Sequence, residues 1–527
     1  MRMAKQLRRV CGRRGTGDFE IRYWVALATV AAAALAAPIE WAGPQMAHAQ
    51  AAAADEADGD YPYIELELAP EYLSRSNYLK GLFLVRKVML GTARLQEVQE
   101  GQTLTNADLV KKWFLRGLLP KMTKKEELEN LTEHRELILN LLQNSKAKDA
   151  HDFVNELLLS AMKVFAAPRD GKQYHPAVRY NAMLIIGDLN LNEAVRLGTN
   201  KRPPEPLLKA LPVLLEQYED ARQMDAIRVA ALLGIRRHAE ASLPEATQKL
   251  VLRQVLPLLD QKEPPEGRSE DGHRWMQRLA LDIVGAMQNA GDSDSVVHAV
   301  YKIVADKDYP LWLRCEAAGA LGSLRPGDLR IDLTAATGNV STLAAMATDS
   351  TIKWLTAKMD EYETQVEGAG VERRGSPAGL GADRDGVATG TGTGFGVNSD
   401  YEEYYINLAR RRMTTMLNEL RTALHGPNGA GGLKAATAGK PLAESVNSIE
   451  SLISELLLKI ESHDPAEKGA RTMSRDWMPR GFKLMELGAE LQAAAKPEPP
   501  DDTPEPTGPG TPAGPGAPSG PGGPGGP

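Results

Sequence analysis

Cysteine is nearly absent from this chain, whose 527 residues include only Cys11 and Cys315. Cys11 lies in a predicted signal segment, so the remaining chain has one cysteine and cannot form an internal disulfide. Aromatic residues are also scarce, at 5% of the chain, and runs of β-branched residues are few. Leucine and alanine dominate instead, which favours helices over sheets and a core built by packing alone.

Long apolar segments are equally scarce, and the clearest one lies near the start, from Tyr23 to Ile39. Basic residues precede it, and Ala47-His48-Ala49 follows it as an A-x-A cleavage site. This pattern predicts a secretory signal peptide over residues 1–49. The alternative is a retained membrane anchor, but a helix of that length spans roughly 25 Å, short of a hydrocarbon core of about 30 Å.

Positive charge is in deficit as well. Without the seven basic and three acidic residues of segment 1–49, the balance is 55 basic against 66 acidic residues, or −11. An acidic chain is a poor candidate for binding nucleic acid or an anionic membrane. We therefore expect an exported protein, periplasmic or extracellular, that does not insert into the membrane once the signal is cleaved.

No stretch of the sequence carries a recognised catalytic arrangement. Gly390–Gly396 has the glycines of a phosphate loop but no preceding strand and no following lysine, so we interpret it as linker. The histidines lack zinc-site spacing, and no Gly-x-Ser-x-Gly elbow occurs. Cys315 is interpreted as a buried thiol, and Arg410–Arg412 as a solvated helix face rather than a docking site. We assign no catalytic, cofactor-binding or metal-binding residue, no cofactor and no enzyme activity.

Helical periodicity begins after an alternating segment, Tyr61–Leu68, that predicts either a short strand or an extended arm. Two helices are then predicted, over Tyr78–Leu90 and Asn106–Leu119. A third is expected to begin at Thr123, because Glu126 follows at capping-box spacing.

Four helical hairpins follow, and the second helix of each has an arginine near its start. These second helices begin near His175, Asp225, Met276 and Trp312. Aligned on Arg179, Arg228, Arg278 and Arg314, they are separated by 49, 50 and 36 residues, and a glycine follows each arginine. The glycines are Gly187, Gly234, Gly285 and Gly322. Prolines at Pro212 and Pro257 occupy matching places in two first helices, which predicts a shared kink.

The paired helices resemble HEAT repeats over about residues 149–324, whose period is roughly 40–47 residues. The resemblance rests on Val178-Arg179, Ile227-Arg228 and Leu313-Arg314 at the helix starts, and on Leu233-Gly234 and Leu321-Gly322 at the ends. It implies an all-α fold, a right-handed α-α superhelix. The acidic residue that the family carries six positions before the arginine occurs here only as Asp308. The matching arginines are interpreted as inter-repeat packing residues rather than ligands.

These patterns divide the chain into regions. We predict a signal peptide (1–49), an N-terminal helical cap (50–147), HEAT-like repeats (148–330), a helical extension (331–367), a flexible Gly-rich linker (368–398), a C-terminal helical region (399–495) and a disordered Pro/Gly-rich tail (496–527). In the C-terminal region, a capped helix is expected from Ser399 to His425 and a near-heptad helix from Glu444 to Ser462. Phe482–Ala495 is the last predicted helix.

The function expected from this organisation is a non-catalytic protein-binding scaffold in the cell envelope, because stacked hairpins build an extended surface. The partner is a protein that the sequence does not identify. Two alternatives stay open: a HEAT-like enzyme or small-molecule lyase, which requires a pocket with converging acids or histidines, and a structural envelope protein that self-associates through 444–462.

Overall fold

The computed structural model describes residues 62–98, 103–197, 200–291, 294–368, 397–463 and 470–495. Helices account for 73% of the structure and strands for 3%, and the described part of the chain contains sixteen helices that pack against each other. The all-α prediction is confirmed at this level. The predicted signal peptide and tail, the glycine-rich segment 390–396 and nearly all of the predicted linker lie outside the described residues.

The chain divides into two compact units at the peptide between Gly234 and Ile235. The helices of the first unit are α1 (Arg75–Met89), α2 (Asn106–Trp113), α3 (Leu131–Gln143), α4 (Lys148–Ala166), α5 (Pro176–Asp188), α6 (Leu211–Glu219) and the first part of α7 (Asp225–Glu240). Helix α2 continues as a π-helix, Phe114–Leu118, and a final turn, Leu119–Lys121.

The second unit begins within α7 and carries nine further helices among its described residues. They are α8 (Glu245–Asp260), α9 (Glu270–Met287), α10 (Ser295–Ala305), α11 (Leu311–Ser323), α12 (Leu333–Gly368), α13 (Val397–His425), α14 (Gly432–Ala436), α15 (Leu442–Glu461) and α16 (Ala470–Ala494). Each predicted hairpin helix is therefore present, with ends shifted by a few residues. No helix among the described residues is long and apolar enough to cross a membrane.

Two small antiparallel hairpins between α5 and α6 were not predicted. Strand β1 (Asn190–Asn192) pairs with β4 (Glu205–Pro206), and between them β2 (Val195–Leu197) pairs with β3 (Asn200–Arg202). The amide of Asn155 on α4 donates to the carbonyl of Asn190 at 2.7 Å. Because these strands are two or three residues long and largely polar, they leave no period-two apolar pattern in the sequence.

The alternating segment before α1 is an extended arm, not a strand. Its backbone N–H of Ile64 donates to the carbonyl of Gln173 at 2.7 Å, and that of Leu66 donates to the hydroxyl of Thr123 at 2.8 Å. The described residues of this segment thus bind the helical unit through single hydrogen bonds. The arm interpretation is confirmed.

The capping box predicted at Thr123 is wrong. Thr123 is buried, and its hydroxyl donates to the carbonyl of Pro120 at 2.7 Å while accepting from the arm. The residues after it form a 3₁₀ turn, Lys125–Asn130, and α3 begins only at Leu131. The chain instead has a capping box at the start of α2, between Thr105 and Asp108.

The shared proline kink is also wrong. Pro212 lies in the first turn of α6, where a missing N–H has no helical partner to lose. Pro257 lies inside α8, close to its end. The two prolines therefore occupy different helical positions although their sequence contexts match.

Three of the four aligned glycines, Gly187, Gly234 and Gly322, mark points of close approach between helices. A Cβ atom built at Gly187 on α5 would lie 2.9 Å from the Cα of Gly234 on α7. One built at Gly322 on α11 would lie 2.3 Å from the Cα of Ala423 on α13. Backbone therefore meets backbone at both contacts. On α11 the contact lies on a face of small residues, which we call the small face: Ala317, Ala318, Gly319, Ala320 and Gly322.

The C-terminal helices pack within the second unit. Helix α13 lies against α11 and α12, and α16 runs along α12, where the hydroxyl of Ser341 donates to the carbonyl of Leu484 at 2.6 Å. Helix α13 begins at Val397, two residues before the predicted cap. The near-heptad residues of α15 are all buried: Val446, Ile449, Ile453, Leu456 and Ile460.

Candidate functional site

Three of the four aligned arginines bind the carboxyl end of the helix that precedes them. Arg179 donates to the carbonyl of Ala166, Arg228 to that of Asp220 at 2.9 Å, and Arg314 to that of Val304 at 3.0 Å. The last carbonyls of a helix have no intrahelical donor and carry the negative end of its dipole. These arginines therefore join the two helices of one hairpin. Arg179 also reaches beyond its own hairpin to Gln223, at 2.6 Å.

In the third hairpin this position belongs to Arg274 and not to Arg278. Arg274 is 4% exposed and donates to the carbonyl of Lys262, just beyond α8, at 2.8 Å. The alignment on Arg278 is therefore wrong by four residues. With Arg274 in its place the separations become 49, 46 and 40 residues. Residues four apart share a helix face, so spacing alone did not separate the two arginines.

Asp308, the acidic residue at the family's position six residues before Arg314, does not pair with that arginine. Its side chain is 76% exposed and pairs with Lys262 at 2.6 Å. Uncharged glutamines accompany two of the buried arginines instead: Gln173 and Gln223 accept from Arg179, and Gln277 accepts from Arg274.

The run 410–412 is not a uniformly solvated face. Arg410 donates from Nε to the carbonyl of Ile460 at 3.0 Å, at the end of α15. The guanidinium of Arg412 lies over the ring of Trp354. The interpretation of this run as a solvated face is therefore wrong for both residues.

A pocket of about 240 Å³ lies among α9, α11 and α13 in the second unit. Three carboxyl groups from these three helices line it, those of Asp282, Glu316 and Glu419. The small residues of α11 make the room: a Cβ atom at Gly319 would lie 2.1 Å from Oε2 of Glu419. The absence of a side chain at Gly319 thus leaves the space that the end of the Glu419 side chain occupies.

Two of the three carboxylates are paired with arginine. Glu316, which is 9% exposed, has Oε1 2.9 Å from Nε of Arg278. Asp282 has Oδ2 3.1 Å from a terminal nitrogen of Arg236. Arg278 does not close the hairpin and instead pairs with an acid that lines this pocket.

Glu419 has no such partner. Among the described residues its carboxyl group forms no hydrogen bond and no ion pair, although it lies close to the other two acids. The residue is half-buried, and its carboxyl group keeps contact with solvent.

Burial controls the titration of these acids. It raises the pKa of Glu316 to about 7, against the lowering effect of Arg278. It raises the pKa of Glu419 to about 8, and repulsion from Glu316 and Asp282 adds to the shift. The pKa of Asp282 is also raised by burial, opposed by Arg236. Acids with perturbed pKa values in a cleft are candidates for function.

The neighbouring thiol does not belong to this chemistry. Cys315 is fully buried, as predicted, and burial raises the pKa of its thiol far above the usual range. It therefore remains a neutral packing residue. No group of three or more His, Cys, Asp or Glu side chains in the described part of the chain is placed to hold a metal ion.

Sequence reasoning missed all three acids, but one signal was present. Glu316 is the single charged residue between Cys315 and Leu321, within a face of alanine and glycine. A charge among residues chosen for close packing indicates a buried pair, and this singles out Glu316. Glu419 left no such signal, because its context on α13 resembles an ordinary helix surface.

A second pocket, of about 330 Å³, lies in the first unit beside the arm, where Tyr63, Tyr174 and Arg179 line it. Arg179 is already bound by Gln173 and Gln223 there. Comparison of the chain with known family models, with curated proteins and with solved structures finds no match.

Proposed function

We propose that this chain is a HEAT-like helical-repeat protein that binds a protein partner, with the pocket of Asp282, Glu316 and Glu419 as the site that receives a basic group. One observation carries the proposal: Glu419 presents an unpaired carboxyl group to a pocket built by three helices. A basic group that enters this pocket would give the Glu419 carboxylate a charge-assisted hydrogen bond, which is stronger than a hydrogen bond between neutral groups.

The repeat architecture supports binding as the general role. Helical hairpins that stack on their neighbours build an extended surface, and such surfaces are typical of protein recognition. The arginines that close each hairpin and the glycines where second helices meet favour this stacking, arranged as the right-handed superhelix that the HEAT resemblance implies. On this proposal α13 adds a further layer behind α11.

We place this activity in the cell envelope or outside the cell, because residues 1–49 have the pattern of a cleaved signal. Cell fractionation and N-terminal sequencing of the mature protein test this location. We expect an exported chain that begins at Gln50. A full-length chain recovered from the cytoplasm would contradict it.

The test of binding compares variants of one helix. Full-length protein is cross-linked to its surroundings in envelope extract, and the captured proteins are compared for wild type, Glu419→Gln and Glu403→Gln. Glu403 is exposed on the same helix and provides a matched control. We expect one partner to be lost with Glu419→Gln and kept with Glu403→Gln. If no protein distinguishes the two variants, the pocket is not the binding site of a protein partner.

An enzyme is the second candidate, and the raised pKa values of Glu316 and Glu419 favour it, because a general acid must be protonated near neutral pH. It would be a HEAT-like enzyme or small-molecule lyase. To discriminate the binding protein from the enzyme, wild type and Glu419→Gln are incubated with small molecules extracted from the envelope, and the products are compared by mass spectrometry. A product that requires Glu419 would favour the enzyme.

Self-association through 444–462 is the weaker alternative, since the near-heptad residues of α15 are buried inside the unit. Sedimentation of wild type and of Leu458→Glu tests it, because Leu458 is exposed on that helix. A change in oligomeric state would favour this alternative.

A further inference from the structure

We propose that α1 binds an anionic lipid surface, with its exposed apolar side chains inserted among the lipid headgroups and its basic side chains on the phosphates. The inference goes beyond the proposed function, because it concerns the first unit and no residue of the acidic pocket. It describes a helix that lies on the face of a membrane and does not cross it.

Helix α1 has two different apolar faces. One is buried within the first unit: Leu82, Val85, Val88 and Met89. The other is exposed, and we call it the α1 stripe: Leu79, Phe83 and Leu90. Leu90 follows the last residue of α1 and keeps the right-handed conformation, so it continues the helical register. At 3.6 residues per turn the α1 stripe covers an arc of about 40° and a length of about 16 Å.

Basic side chains run along both sides of the α1 stripe. The same helical geometry places Arg75 and Arg86 on one side, and Lys80 and Lys87 on the other. All four are exposed. Lys87 lies over the ring of Phe83, with Nζ 4.7 Å from the ring centre. An exposed apolar strip with a polar rim is typical of an interaction site.

The four cations of α1 are not neutralised by acids. The helix contains no Asp or Glu, and in the described part of the chain no carboxylate forms an ion pair with any of the four. Glu71, the acid nearest to them in sequence, pairs with Lys112 at 2.7 Å. The chain as a whole is acidic, but α1 carries four positive charges, which an anionic surface complements.

The shape of this face favours lipid over protein. The exposed side of a single helix is convex, so a protein partner would need a groove with acids on both of its rims. A lipid surface offers phosphates on every side and acyl chains beneath them, as interfacial helices require. Long basic side chains can keep their charges at the phosphates while the α1 stripe lies deeper. A second copy of this chain is disfavoured, because four cations would face four cations.

The experiment is co-sedimentation with vesicles of phosphatidylcholine, alone or mixed with phosphatidylglycerol. The chain from Gln50 onward is used, because the apolar segment Tyr23–Ile39 would itself bind lipid. Residues 1–49 lie outside the described residues, and the melting transition of the shorter chain is matched to that of the full chain. We expect binding to the mixed vesicles that weakens with added salt, and little binding to phosphatidylcholine alone.

A first pair of variants tests the α1 stripe. Phe83→Gln should weaken binding to the mixed vesicles at least about tenfold, because a large apolar side chain no longer leaves water. Val164→Gln is the matched control, since Val164 is also exposed on a helix of the first unit, α4. It should bind as the wild type does. Both side chains are exposed, so both variants should keep the wild-type melting temperature.

A second pair tests the basic side chains. The double variant Lys80→Gln, Lys87→Gln should weaken binding about 30-fold, because each basic residue near an anionic surface contributes about fivefold. The double variant Lys172→Gln, Arg202→Gln removes the same charge from exposed residues of the first unit outside α1. It should bind as the wild type does.

Absence of binding to the mixed vesicles would overturn the proposal. Equal binding to both kinds of vesicle, or equal weakening by the two members of either pair, would also overturn it. If the wild type binds no vesicle but cross-links in envelope extract to a protein that Phe83→Gln does not capture, the α1 stripe docks a protein and the lipid assignment is wrong.

Discussion

The contact between α11 and α13 at Gly322 gives a sharp test of the fold that builds the pocket. A Cβ atom at this position would lie 2.3 Å from the Cα of Ala423 and 2.4 Å from the carbonyl oxygen of Thr422. Non-bonded carbon atoms are comfortable at about 3.5–4.0 Å, so Gly322→Ala requires the two helices to separate by about 1 Å. The obstructing atoms are backbone, and no side chain can rotate away.

The expected magnitude combines two opposing effects. Alanine in a helix is favoured over glycine by about 1 kcal/mol, whereas overpacking costs about 1–3 kcal/mol and occasionally more. Because the obstruction is backbone, we expect the upper part of that range and a net loss of about 2 kcal/mol. For a unit of this size, that lowers the melting temperature by roughly 4–8 °C.

Differential scanning calorimetry measures this loss, and hydrogen exchange of the α11 and α13 amides assigns it to the second unit. Gly285→Ala provides the matched control, since its Cβ would lie 3.5 Å from the Cα of Ala320, an ordinary contact. It should leave the melting temperature unchanged or raise it slightly. If Gly322→Ala has the melting temperature and the amide hydrogen exchange of the wild type, then α11 and α13 do not approach each other as closely as described.

Three further predictions follow from the same unit. Gly319→Leu would displace the side chain of Glu419 and should disrupt the packing of α11, so the melting transition of this unit should be lost. A melting transition like that of the wild type would contradict the burial of the small face of α11. The native unit holds protons on Glu419 and Glu316 that the unfolded chain gives up above its ordinary pKa, so the free energy of unfolding should fall as pH rises through 7 and 8. In urea titrations at several pH values, Glu419→Gln should reduce this fall in the free energy of unfolding. An equal fall in the variant would show that Glu419 does not hold one of these protons. Arg274→Gln should lower the free energy of unfolding by about 2 kcal/mol, because a buried charged donor is lost, and an unchanged urea midpoint would refute its capping role.

The sequence predicted the helices well, because leucine and alanine periodicity is local. The second helices and their glycines were found from spacing, and the close contacts of Gly187 and Gly322 agree with the small face. The buried side of α15 was also predicted from its near-heptad pattern. Each of these depends on residues within one or two helical turns.

What the sequence did not predict depends on register and on distant partners. Arg274 and Arg278 lie one helical turn apart, and only the position of Lys262 decides which one closes the hairpin. Thr123 has the spacing of a cap, but the arm at Leu66 takes its hydroxyl. Glu316 and Glu419 are about a hundred residues apart in the chain, so their common pocket has no local pattern.

The small face of α11 has two consequences that are physically distinct. At Gly322 it allows the backbone of α11 to meet the backbone of α13. At Gly319, one turn earlier, it admits an ionisable side chain that gains no hydrogen bond or ion pair from the described residues. Packing alone would be served as well by glutamine, which has the same shape and no ionised form to destabilise the fold at higher pH. The proposed function accounts for a glutamate at this position, because a basic ligand group would need its charge.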